Sequence, residues 1–121
     1  MLNNENWDLN EVGKTLNKAA DLMDRLGQAK HTTSDHKGAV CIQGAVYLAL
    51  SGNPDCISTY KDQFTFDACF RALASHLPPR HEYQSTIGKV CDWNNDSART
   101  KDEAVNFMRG VASTCKVHQT A

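Results

Sequence analysis

The residues best equipped for chemistry fall in one short stretch, Cys91-Asp92-Trp93-Asn94-Asn95-Asp96-Ser97-Ala98-Arg99-Thr100. The stretch shows no helical or strand period and sits just ahead of a strongly periodic segment. Trp93 offers a flat face for stacking. Asn94 and Asn95 carry both donors and acceptors, suited to the edge of a base or sugar. Arg99 offers a planar fork that fits a phosphate. Asp96 and the two Asn residues also fold the backbone into tight Asx-type turns. The same set therefore predicts either a turn that caps a helix or a rigid binding turn. Gln43 is a polar residue in an otherwise apolar run, and if buried it needs partners, because an unpaired amide costs roughly 1–3 kcal/mol. The backbone around 93–96 or a ligand would supply them. The expected site is Trp93, Asn94, Asn95, Asp96 and Arg99, joined by Gln43 and its neighbour Cys41. Its expected ligand is small and nucleotide-like or phosphate-bearing. Asp102 and Glu103 already place negative charge at the start of the last helix, so an anion would sit nearer Arg99 or at another helix end.

A second constellation pairs Cys41 with His36, five residues earlier. A thiol at a helix N-terminus feels the positive end of the dipole, and a nearby imidazole could act as its base. That is the outline of a cysteine-dependent hydrolase. The simpler reading is a small buried thiol that packs, since free Cys is among the most buried residue types. The five cysteines, Cys41, Cys56, Cys69, Cys91 and Cys115, are odd in number and include no C-x-x-C pair. They read as reduced thiols of a cytoplasmic protein, with Cys41, Cys69 and Cys115 in apolar patterns. No two His stand at the i, i+4 spacing of a helical metal site, so neither metal nor cofactor is expected.

These residues must be positioned by helices. Leu9, Val12, Leu16, Ala19, Ala20, Met23 and Leu26 recur every three or four residues and predict a first helix. Asn6 or Asp8 can cap its start, Trp7 can staple that start to the core, and Gly27 can end it. The polar run 28–37 reads as a mobile loop. The run 38–50 reads as a central buried helix, its Gly44-Ala45 pair letting a neighbouring helix approach. Phe66, Cys69, Phe70, Leu73 and Leu77 mark a third helix, stopped by Pro78-Pro79. A short fourth helix is expected from Thr86 to Cys91, with Ile87, Val90 and Cys91 inward. Thr100-Lys101-Asp102-Glu103 is a capping box. It opens the last helix, whose inward stripe is Ala104, Val105, Met108, Val111, Ala112 and Cys115. The fold class is all-α: one helical domain over 1–121, a bundle of about four to five helices, with frayed ends at 1–6 and 116–121. Leu16, Met23, Ala45, Leu48, Phe70, Leu73, Val105 and Met108 are its expected core.

Composition sets limits on function. At 121 residues and a net charge of -1, the chain lacks the basic excess of proteins that track nucleic-acid backbones, so bulk nucleic-acid binding is not expected. No apolar run approaches the roughly 20 residues needed to span a bilayer, and the start has no signal-peptide character. No membrane partner is expected. A homo-oligomer that completes a site between chains fits the size.

The order Gly38-x-x-Cys41-x-x-Gly44-Ala45, then Trp93-Asn94-x-Asp96, then Arg99-Thr100 with Glu103-Ala104-Val105, resembles a small uncharacterised domain family of actinobacterial and phage genomes. Its members open with an Ala-rich helix like Ala19-Ala20-Asp21-Leu22. The resemblance spans about residues 9 to 115. Two departures stand out: the turn here is Trp93-Asn94-Asn95-Asp96 rather than W-N-D, and Gly27-Gln28 replaces a Gly-Trp. The resemblance implies no established activity. It implies a context, that of a small phage-type accessory protein that sequesters a host signalling nucleotide or, alternatively, inhibits a host protein as part of anti-defence.

Overall fold

A computed structural model describes residues 2–78 and 85–115, with side chains described from Leu9 onward. Five helices follow in order: α1 (Leu2–Leu26), α2 (Ile42–Ser51), α3 (Tyr60–Ser75), α4 (Thr86–Asn95) and α5 (Lys101–Thr114). The chain is all-α, and among the described residues the only β pairing is two isolated bridges in the α1–α2 loop. α1 begins at Leu2, so Asn6 and Asp8 lie inside it rather than at its cap. The Trp7 side chain and the 116–121 tail lie outside the described residues.

α1 and α5 pack side by side as the most extensive helix pair, and α2 and α3 also pack on α1. Their core is formed by Val12, Leu16, Met23, Phe66, Phe70, Leu73, Met108 and Val111, all nearly inaccessible. Burying such side chains contributes about 1.5–3 kcal/mol each against leaving them in water. Outside the core, Arg109 reaches Asp21 at 2.7 Å and Lys101 reaches Asp24 at 3.4 Å, which fixes the register of α5 on α1. Leu48 is only half-buried and Ile87 is exposed, because both stand at the edge of the faces their helices turn inward.

Two boundaries decide the site. α2 is shorter than the apolar run that contains it: Gly38, Ala39 and Val40 stay outside the helix, and Cys41 is the N-cap. α4 is longer than expected and continues through Trp93, Asn94 and Asn95. The stretch at 91–95 is therefore the last turns of a helix, and only 96–100 is a turn. Its lack of apolar period misled the sequence reading because Asn94, a polar residue, points into the core.

Candidate functional site

The loop from Gly27 to Val40 is built rather than mobile. Val40 bonds both arms: its N–H donates to the Gly27 carbonyl at 3.0 Å, and its carbonyl accepts from Ala29 N at 2.9 Å. Asp35 closes the tip, accepting from Lys37 N and Ala39 N through Oδ1 and from Gly38 N through its carbonyl. Gly38 has φ +90°, a left-handed conformation that a side chain would strain. The Thr33 carbonyl accepts from Cys41 N at 3.2 Å, which lays the loop across the start of α2. Gly44 is the residue beneath it. A Cβ on Gly44 would stand 1.9 Å from that same oxygen. The small residue admits a loop, not the neighbouring helix the sequence suggests.

The end of α4 locks onto the same loop. Asn94 is fully buried. Its Nδ2 donates to the Ala29 carbonyl at 3.0 Å, and its Oδ1 accepts from Gln28 Nε2 at 3.3 Å. Asn95 Oδ1 accepts from His31 N at 2.8 Å and from Asn94 Nδ2 at 3.1 Å. Lys30 Nζ donates to the Asp96 carbonyl at 2.6 Å. His31 holds φ +65°, uncommon for a residue with a side chain, and those bonds hold it there.

Between the loop, α2 and α4 lies a cleft of about 360 Å³, lined by His31, Thr32, Thr33, Cys41, Gln43, Cys91 and Asn95. Gln43 donates to Tyr47 Oη at 3.1 Å and accepts from Cys91 Sγ at 3.4 Å. Cys41 Sγ accepts from Gly44 N at 3.3 Å, the cap of α2. Burial raises the Cys41 thiol above its ordinary value and outweighs the bonds from the helix start that pull it down. The Cys91 thiol is pushed up to about 11, by burial first and then by the negative charges that Cys41 and Asp92 would carry. Both thiols are protonated near neutral pH.

Of the residues singled out in the sequence, the cleft brings together Cys41, Gln43 and Asn95. Trp93, Asn94, Asp96 and Arg99 do not line it. Trp93 packs on Phe107 with ring centres 4.5 Å apart, and Arg99 lies over the Trp93 ring at 4.0 Å while its Nε donates to the Trp93 carbonyl. The stacking face and the guanidinium are thus used on each other. Asp96 accepts from Ala98 N through its side chain and from Arg99 N through its carbonyl. His36 is exposed at the loop tip and does not line the cleft. Sequence reasoning missed His31, Thr32 and Thr33, and left Cys91 out of the site although it read that residue as inward. The one signal for the three loop residues was Asp35-x-x-Gly38, the residue preference of a tight turn, which implies a loop folded back on itself.

With the geometry in place, comparison with known proteins adds a family. A model described as "Family of unknown function (DUF6197)" matches residues 8–114. The chain belongs to DUF6197. No curated protein and no solved structure matches it. The matched span of DUF6197 includes the 27–40 loop, α2 to α5 and all of α1 but its first six residues. In this member Gly38, Cys41 and Gly44 have separate physical duties: the turn of the loop, the cap of α2, and the crossing of loop over helix. Among the described residues no group of three or more His, Cys, Asp and Glu side chains is arranged to hold a metal ion, and no helix is long and apolar enough to cross a membrane.

Proposed function

We propose that this DUF6197 protein is a non-catalytic binding domain that holds a small, acceptor-rich ligand, nucleotide-like or phosphate-bearing, in the cleft between the 28–40 loop and the α2–α4 pair. The Asn95 amide carries this reading. Its oxygen is taken twice, by His31 N and Asn94 Nδ2, so the side chain is fixed with its NH₂ as the end left to donate. The His31 ring stands exposed beside it, and no described lining residue is a carboxylate. A cleft of about 360 Å³ lies within the range of small-molecule sites. Rigid donors facing an acceptor-rich group are the preorganisation that favours binding.

Binding rather than conversion is supported by the thiols. Both are held protonated by burial, and neither is hydrogen-bonded to a histidine among the described residues. A cysteine hydrolase needs the opposite on both counts. In this reading the protein sequesters its ligand in the cytoplasm, in the manner of a phage-type accessory protein.

The test is thermal shift with a panel of mono-, di- and cyclic nucleotides and inorganic phosphate, on wild type, His31→Asn and Arg99→Ala. Asn tolerates the left-handed backbone of position 31, so His31→Asn removes the ring without straining the loop. One ligand class is expected to stabilise wild type. His31→Asn should keep its melting temperature and lose the shift, while Arg99→Ala should melt lower and keep it. A panel in which nothing stabilises wild type removes the proposal.

A further inference from the structure

The outer face of α3 carries a side chain and a recess that fit each other. Tyr60, Phe64, Asp67 and Arg71 recur at intervals of four, three and four residues, so they form one stripe along the helix. The stripe points away from the core. Tyr60 is 95% exposed and Phe64 49%, an unusual cost for two aromatic rings one turn apart. Further along, α3 and α4 enclose a recess of about 300 Å³ lined by Asp67, Phe70, Arg71, Ser85, Thr86 and Ile87. Ile87 gives it an apolar wall above the buried Phe70 ring, and Ser85 and Thr86 add hydroxyls. Asp67 gives a carboxylate, held by Gln63 Nε2 at Oδ1. Arg71 gives a guanidinium. A recess with an apolar wall, a carboxylate, two hydroxyls and a cation suits a phenol: the ring packs on Ile87, its O–H donates to the carboxylate, and its face takes the cation.

The chain itself supplies that phenol. We infer that this face is the seat of a homodimer in which α3 pairs antiparallel with α3 of a second copy, and Tyr60 of each copy enters the recess of the other. The spacing makes the contact self-complementary. At about 1.5 Å per residue, Tyr60 lies some 10 to 16 Å from Asp67 and Arg71 along one helix. A two-fold axis crossing α3 midway between Phe64 and Asp67 therefore brings Tyr60 over Arg71 twice and Phe64 over Asp67 twice, with both Phe64 rings within about one turn of the axis. Such an isologous contact closes on itself and stops at two copies. A second copy is favoured over another protein because the protruding ring and the slot that suits it occur on the same helix, with opposite ends of one stripe complementing each other. The surface shares no residue with the cleft at His31 and Asn95, so it stands independently of the ligand proposal.

Sedimentation equilibrium from low to high micromolar concentration tests the pairing. Wild type is expected to pass from one to two copies and no further. Tyr60→Ala and Arg71→Ala should each weaken dimerisation roughly thirtyfold or more, as anchor residues do, with unchanged far-ultraviolet dichroism and melting of the monomer. Phe64→Cys in a Cys56→Ser background should form an intermolecular disulfide under mild oxidation, because both positions lie within about one turn of the axis. A single-copy mass at every concentration overturns the inference and leaves the face to a different partner. A dimer that persists undiminished in Tyr60→Ala overturns it as well.

Discussion

The carbonyl oxygen of Thr33 sits over the Cα of Gly44, so close that a methyl group there would lie 1.9 Å from it. This one crossing joins the loop to α2 and gives the cleft its wall. Gly44→Ala should therefore destabilise the fold by about 3 kcal/mol, the range of overpacking against backbone that cannot rotate aside. Gly110→Ala provides the contrast. No atom lies within 4 Å of the added group there, and the position is an exposed helix interior. That change should stabilise by about 0.5–1 kcal/mol. Urea denaturation of the two variants checks both signs.

Asn94 is the polar residue that the core cannot lose. Asn94→Ala leaves the buried Ala29 carbonyl without its side-chain partner and takes one of two acceptors from the half-buried Gln28 amide, which keeps the Asn94 carbonyl. The expected cost is about 2–3 kcal/mol, with the loop loosened from α4. Hydrogen exchange at 28–33 should accelerate in the variant more than exchange in α5. Equal acceleration everywhere would mean that Asn94 stabilises the domain as a whole and does not tether the loop.

Arg99→Ala should cost about 1–2 kcal/mol. An exposed turn residue would be expected to matter by less than about 0.5 kcal/mol. Here the guanidinium lies on Trp93 at 4.0 Å, bonds the Trp93 carbonyl and stands 3.9 Å from Glu103. Cation–π contact and a charge-assisted bond add to more than a surface ion pair. Thermal melting of Arg99→Ala against Arg99→Lys separates the stacked plane from the charge, since Lys keeps only the latter.

Thr100→Ala should cost about 1 kcal/mol. Both halves of the capping box are present: Glu103 N donates to Thr100 Oγ1 at 3.1 Å, and Thr100 N donates to Glu103 Oε1 at 2.9 Å. An unchanged melting temperature would contradict that assignment.

The thiols predict a pH dependence. The Cys91 thiol is raised from 9.0 to about 11 in the fold, so the native state keeps its proton over a range in which the unfolded chain releases it. Its contribution to stability is whole below about pH 9 and is lost as pH rises toward 11. Cys91→Ala should lose less stability than wild type between those limits. Alkylation of Cys91 should be slow at neutral pH and keep rising about tenfold per pH unit, with no plateau before pH 11. A plateau near pH 8 would point to an ordinary, solvated thiol.

The helices were legible because their information is local. Leu16, Met23, Phe70, Leu73, Val105 and Met108 repeat at the helical period, and each is buried. The capping box at Thr100 and Glu103 closes within four residues, so side-chain chemistry alone determines it. That the chain belongs to an uncharacterised domain family was also within reach of the sequence. What only the tertiary structure decided was the partner of each polar group. Asn94 bonds Ala29 across 65 residues, and Gln43 meets Cys91 across 48. A long-range bond between two polar residues leaves no period and no motif at either end. Trp93 and Arg99 are adjacent enough to suggest a site, yet the fold turns them onto each other and packs Trp93 on Phe107. The loop at 28–37 looked free for the same reason: its anchors, Asn94 and Asn95 of α4 and the Asp96 carbonyl just beyond it, are not connected to it by local sequence, and only the packed fold brings the hydrogen-bonding groups together.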